Sequence, residues 1–325
     1  MNELEFNPVE IFLSNEERRI SEIIMDFVIS FTISNVGIVT NILVIIVFVK
    51  QGFKESVNIS MTTIAVWDLI KCLAAAMQRM SGPLAVWSKS DAESWTNISV
   101  VVFNYLIVIQ VTSLACLCVC IPFKVKWLLT TKVTLTVCLF ISVVIFGLFS
   151  VMFGIYDIYW THSNRYNTSI ALYKHNEFYE ANENPLFWYY NLSGILWPLV
   201  SFTVIVICTT IIVHMLRQSS KFRSGQAEIN KESSNQLSTR DRQVVKMLVV
   251  IISVYVICLS PRIAIYIVKC FVYEFYFIRR YHNIFMFVCY ILWILEMGNG
   301  AVNFFIFYAM SSSFRTTFTS ICKKK

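Results

Sequence analysis

The chain has 325 residues, of which 57% are hydrophobic and 14% charged. Soluble domains carry about 25% charged residues, which argues against a water-soluble enzyme of this length, and 9 Gly with 6 Pro are too few for a collagen-like or Pro/Gly-rich disordered chain. Seven membrane-crossing helices of about 22 residues use about 154 positions and leave about 170 for tails and loops. One polytopic membrane domain therefore fills the chain, and no large soluble domain fits beside it.

In chain order, residues 1–22 are polar and hold six glutamates against Arg18 and Arg19. They lack the apolar core of a cleavable signal peptide. The first apolar run, 23–49, is too long for such a core and is read as a signal-anchor helix. Further apolar runs follow at 59–80, 95–121, 133–156, 187–216, 243–269 and 284–309. Each is long enough to cross a bilayer as a helix, which satisfies its own backbone there. The second run is the most polar, with Asp68, Lys71 and Arg79. No internal repeat is present, which weakens an inverted-repeat transporter.

Between the fifth and sixth runs, 217–242 is rich in Ser, Asn, Gln and charge, a composition that buries little. After the seventh, Phe314, Phe318 and Ile321 fall one turn apart. The expectation is a short amphipathic helix in the membrane interface, closed by Lys323–Lys325. Cys322 beside it suits either palmitoylation or a plain interfacial thiol. The fold class expected is an all-α seven-helix membrane bundle: tail 1–22, bundle 23–310, and interfacial helix with basic tail 311–325.

Lys and Arg beside the run ends set the orientation. With the N-terminus outside, 16 of the 27 lie on the cytoplasmic side and 9 outside, Lys71 and Arg262 being within helices. Of the 20 acidic residues, 14 lie outside. The net charge of +7 is thus largely a topology signal, and nucleic-acid binding is not expected. Nine of the ten cysteines sit in or beside apolar runs, so no secreted disulfide framework is offered. Cys116, Cys118 and Cys120 lack a nearby His and are read as core packing rather than a metal cluster.

Enzyme signatures such as GxSxG, HExxH and phosphate-cradling loops are missing, so no enzymatic activity is expected. The informative residues are polar groups inside apolar helices: Asn41, Asp68, Asn104, and the helical stripe Glu296, Asn299 and Asn303. Such groups are costly in lipid and face the bundle interior, where they bond one another, an ion or a ligand. Lys71 follows Asp68 by three residues and can share its helix face; Arg262 follows Pro261 in the outer half of the sixth run. Both cations can pair with the buried carboxylates or meet an anionic ligand group.

Several of these positions resemble motifs of the rhodopsin-like G-protein-coupled receptors. Gly37-Ile-Val-Thr-Asn41 resembles the family's first-helix motif, and Ala65-Val-Trp-Asp68 is similar to its Leu-Ala-x-x-Asp. Pro198 sits in the fifth run; Cys258-Leu-Ser-Pro261 resembles Cys-Trp-x-Pro with Leu259 for the tryptophan. Asn303-Phe-Phe-Ile-Phe307 is similar to Asn-Pro-x-x-Tyr, with the proline replaced and Phe307 at the tyrosine. The match spans about residues 30–318, and its edges look like invertebrate chemosensory or neuropeptide-type receptors. Three departures stand out. The acidic-Arg-aromatic triplet falls on Leu114, Ala115 and Cys116, so its arginine is absent. No cysteine is placed for the usual tie between the third helix and the second outer loop. The seventh run has no lysine for retinal, and near Asn97 there is no amine-binding aspartate.

The resemblance implies a plasma-membrane receptor that binds an extracellular chemical or peptide ligand and signals through a heterotrimeric G protein. A channel or transporter using Asp68, Lys71 and Glu296 is the alternative, and a non-signalling binding receptor a third. Candidate ligand residues are Gln78, Arg79, Asn97, Tyr190, Arg262, Tyr266, Trp293 and Glu296. The interior cluster is Asn41, Asp68, Asn104, Asn299 and Asn303, which in the family holds a sodium ion; Lys71 would occupy or weaken that ion site here. On the G-protein side stand Ala115, Lys124, Lys126, Arg240, Arg242 and Lys246. Of the sequons Asn58, Asn97, Asn167 and Asn191, Asn167 in the outer loop 157–186 is the glycan acceptor expected.

Overall fold

The computed structural model describes residues 12–54, 56–103, 131–186, 239–272, 274–276 and 279–323, with scattered positions in 187–210. Five apolar stretches long enough to cross a membrane are found among them: Asn15–Gln51, Val57–Trp87, Thr131–Leu148, Val249–Lys269 and His282–Met310. They are the first, second, fourth, sixth and seventh runs of the sequence. Of the third, Lys89–Phe103 is described as helix; most of the fifth lies outside the described residues.

The first span starts earlier than its apolar run. Helix begins at Asn15 because Ser14 and Glu17 form a reciprocal capping box. The Ser14 side chain accepts from the Glu17 N–H at 3.1 Å, and Glu17 Oε2 accepts from the Ser14 N–H at 2.8 Å. A π-helical stretch, Glu22–Ser30, joins this turn to the α-helix Phe31–Gln51. So the last third of the expected N-terminal tail is a helical extension of the span. Its far end stops at Gly52, whose φ of 81° closes the helix against the Phe48 and Val49 carbonyls.

The second span, Ser56–Gln78, breaks at residues 79–80 and resumes as the short helix Ser81–Trp87. Its approach to the first span is close: a side chain at Gly37 would bring Cβ to 2.5 Å from Cys72 Sγ. Small residues allow such backbone approach between membrane helices. The sixth span runs Thr239–Phe271 with Pro261 inside, and the seventh His282–Met310.

The core sits where the first, second, sixth and seventh spans meet, around Val44, Met61, Ile251, Tyr255, Leu259 and Phe307. Ser312–Cys322 is the expected interfacial helix, capped by Ser311 Oγ accepting from the Phe314 N–H at 3.2 Å. Phe314 is fully buried against Phe48, Phe304 and Phe307, at centroid distances of 5.6, 5.8 and 5.5 Å. Val36, Val39, Ile42, Ile46 and Val49 of the first span stay exposed, at the spacing of a lipid-facing stripe.

One element was not expected. The loop after the fourth span holds an antiparallel hairpin, β1 Tyr156–Ser163 and β2 Thr168–His175, with Ser163 opposite Thr168. Its strands, rich in Ile, Tyr, Trp and Thr, suit pleated backbone. Asn167 closes the four-residue turn with φ 50°, a left-handed conformation that Asn tolerates.

Candidate functional site

Two polar centres lie inside the bundle, one above the other along the seventh span. The inner centre is built around Asp68, which is fully buried. Lys71 Nζ donates to its Oδ1 at 3.0 Å, as helical spacing of three residues allows. Asn303 Nδ2 donates to Oδ2 at 2.8 Å, and the Tyr255 hydroxyl donates to the same oxygen at 3.3 Å. One carboxylate thus holds the second, sixth and seventh spans. Asn41 Nδ2 donates to the carbonyls of Gly37 and Gly300, each at 2.8 Å, joining the first span to the seventh. Asn299 is 1% exposed, and neither amide atom has a hydrogen-bond partner among the described residues. Asn104 lies outside the described residues. Tyr255 was missed by sequence reading, since a tyrosine in an apolar run gives no sign of where its hydroxyl points.

The second centre lies nearer the N-terminal end of the bundle. Arg262 and Glu296 form an ion pair between the sixth and seventh spans, both buried. A second pair joins the first and second spans: Arg79 Nε donates to Asp26 Oδ1 at 2.6 Å. The Arg79 guanidinium also lies 5.4 Å from the centre of the Trp293 ring, a cation–π distance. Four predicted ligand residues, Arg79, Arg262, Trp293 and Glu296, therefore fall into two contacts that join the second, sixth and seventh spans, and Asp26 ties Arg79 to the first. Gln78 beside them is half-buried. Tyr190 and the Tyr266 side chain lie outside what is described. Asp26 was missed, although a carboxylate within an apolar run is the same signal that marked Asp68.

Asn97 is engaged elsewhere. Its Nδ2 donates to the Ala171 carbonyl at 2.9 Å, while Ser94 Oγ accepts the Ala171 N–H at 3.1 Å. Two side chains of the third span thus hold both backbone groups of one residue of β2. The Tyr166 hydroxyl donates to Glu93 Oε2 at 2.7 Å nearby, and this bond pushes the Tyr166 phenol above its ordinary range. A polar clip stands between the third span and the hairpin, where the resemblance leaves a disulfide missing.

Of the residues expected at the opposite end, Ala115, Lys124 and Lys126 lie outside the described residues. Arg240 and Arg242 sit in the first turns of the sixth helix, and Lys246 is exposed on it. Asn167 is exposed at the hairpin tip. Among the described residues no group of three or more His, Cys, Asp or Glu is placed to hold a metal ion.

Residues 28–325 match the model of a family described as serpentine type 7TM GPCR chemoreceptor Srw. No curated protein matches the chain.

Proposed function

Because the chain belongs to the Srw family of serpentine seven-helix chemoreceptors, a family of ligand-sensing receptors and not of enzymes, we propose that its ligand acts on the Arg262–Glu296 pair. Receptors of this kind bind a ligand and signal through a G protein across a lipid bilayer. The bundle carries the ligand at its N-terminal end, taken as extracellular from the distribution of Lys and Arg. The receptor works at the plasma membrane, with Asn167 glycosylated at the hairpin tip.

The supporting observation is the buried ion pair itself, which joins the sixth and seventh spans. Burying two charges costs several kcal/mol each before their attraction offsets it. Residues that stabilise little for that cost are good candidates for a ligand switch. A ligand bearing a carboxylate or other strong acceptor competes with Glu296 for the Arg262 guanidinium, which offers a planar fork of donors. Trp293, Gln78 and Arg79 supply the neighbouring wall. When Arg262 changes partner, the sixth span is released from the seventh, and its far end, with Arg240, Arg242 and Lys246, shifts toward the G protein. Asp68 and Asn303 in contact, at the positions quoted for the rhodopsin-like resemblance, support extending that resemblance to this chain.

The test is a panel of water-borne chemicals and peptides, applied to cells expressing the chain and read by second messenger. Acceptor-bearing compounds are expected among the agonists. Agonists that are all cationic or wholly apolar would refute the proposed role of Arg262.

A further inference from the structure

The inner centre differs in kind from a site for a mobile cation. A hard cation needs free oxygen ligands around a net negative charge. Asp68 supplies the charge, but Lys71 Nζ already stands 3.0 Å from its Oδ1, with both side chains at most 1% exposed. Its Oδ2 accepts from Asn303 and Tyr255. Among the described residues, the amide oxygens of Asn299 and Asn303 are buried without a hydrogen-bond partner, but they are neutral and supply no net negative charge.

The seventh span is shaped to receive this lysine. At Gly300 an added Cβ would lie 2.9 Å from Lys71 Cε and 3.0 Å from its Nζ. Any other residue at 300 pushes against the ammonium. The buried lysine and the glycine facing it are thus one arrangement, contributed by two helices. Asn41 bonds the carbonyl of that same glycine at 2.8 Å, fixing the wall against which the lysine lies.

We infer that the Lys71 ammonium is the resident cation of the Asp68 centre, so that the sodium ion expected from the rhodopsin-like resemblance has no place in this receptor. Two unit charges of like sign a few ångströms apart repel strongly in a medium of low dielectric. A sodium ion at Asp68 would meet an ammonium already in contact with the same carboxylate. The pair is neutral as it stands and needs no second counter-ion. The cation is tethered, so it cannot be lost or exchanged as the bundle changes shape. The resting arrangement is then independent of sodium concentration on either side of the membrane.

The experiment uses the full chain purified in nanodiscs, with thermal unfolding followed in sodium chloride and in choline chloride at equal ionic strength. For the natural sequence we expect the same unfolding temperature in both salts. Lys71→Leu removes the ammonium and leaves the buried Asp68 carboxylate without its cation. It should unfold several degrees lower in choline and recover selectively in sodium. Adding Asp68→Asn to Lys71→Leu should abolish that recovery. A sodium-specific, saturable stabilisation of the natural chain that Asp68→Asn removes would overturn the inference, and so would a folded Lys71→Leu variant indifferent to sodium. Should Lys71→Leu not fold, the natural chain and Asp68→Asn alone still decide the matter. Neither readout depends on the ligand, so failure here is separable from failure of the Arg262 proposal.

Discussion

Arg262 of the sixth span and Glu296 of the seventh neutralise each other inside the bundle, where both are buried. The two residues therefore have opposite mutational signs toward a ligand that uses Arg262. Arg262→Ala removes the anchor and strands Glu296, and the lost charged contact costs on the order of 2 kcal/mol, or about thirtyfold in agonist potency. Glu296→Gln keeps the shape but removes the carboxylate charge that competes for the guanidinium, so potency should hold or rise, and basal activity should rise with it. Dose–response curves at matched surface expression check both. Full potency in Arg262→Ala would remove the anchor role.

Asn97, expected in the ligand pocket, donates a hydrogen bond to the hairpin. Its partner Ala171 is also held by Ser94. If Asn97 serves the receptor through the hairpin, Asn97→Ala and Ser94→Ala should produce the same phenotype. Each loses its bond to Ala171, worth about 1 kcal/mol, and Ser94→Ala also loses the bond its hydroxyl donates to the Ser90 carbonyl; each should lower the unfolding temperature and loosen the loop as read by proteolysis between 156 and 175. A potency loss confined to Asn97→Ala, with no change in hairpin protection, would return Asn97 to the ligand.

The orientation has its own check. An epitope tag at residue 2 should stain on intact cells, and Asn167→Gln should shift the band on a gel by one glycan. Asn167 is exposed in the hairpin turn, where the transferase can reach it. Staining that needs permeabilised cells would reverse the topology.

Much of this arrangement was legible before the structure. Apolar run length located the five spans described, since a helix crossing lipid needs both length and composition. The expense of charge in lipid pointed to Asp68, Lys71, Arg262 and Glu296, and each is now seen paired. Helical spacing alone predicted Lys71 beside Asp68. Other features were hidden for physical reasons. Which carboxylate meets which cation across helices depends on helix rotation, which one sequence does not encode, so Arg79 with Asp26 was not foreseen. The hairpin was hidden because its strands alternate weakly, with most residues exposed on both faces. The clip on Ala171 uses backbone groups, which leave no trace in residue type. The early start of the first span does have a sign, Ser14 followed three residues later by Glu17, set among the other acidic residues of the tail.

Signalling is where this chain departs furthest from the receptors it resembles. In those, an arginine ending the third helix is held by its acidic neighbour at rest and contacts the G protein when released. Here the triplet falls on Leu114, Ala115 and Cys116, which lie outside the described residues. Losing both members of an ion pair strands no charge, so the fold need not suffer. The resting state loses a restraint and the active state loses a contact, and these act in opposite directions on basal activity. On that resemblance maximal coupling should have no such compensation, because Ala115 cannot supply the charged contact that those receptors make. On that resemblance the basic positions expected to take over docking are Lys124 and Lys126, outside the described residues, with Arg240, Arg242 and Lys246 at the start of the sixth helix. Ala115→Arg should therefore raise agonist-stimulated nucleotide exchange severalfold at matched surface expression. Neutralising Arg240, Arg242 and Lys246 together should lower it in the natural chain. An unchanged or reduced maximum in Ala115→Arg, with the basic triple variant also silent, would place coupling on another surface or outside G proteins.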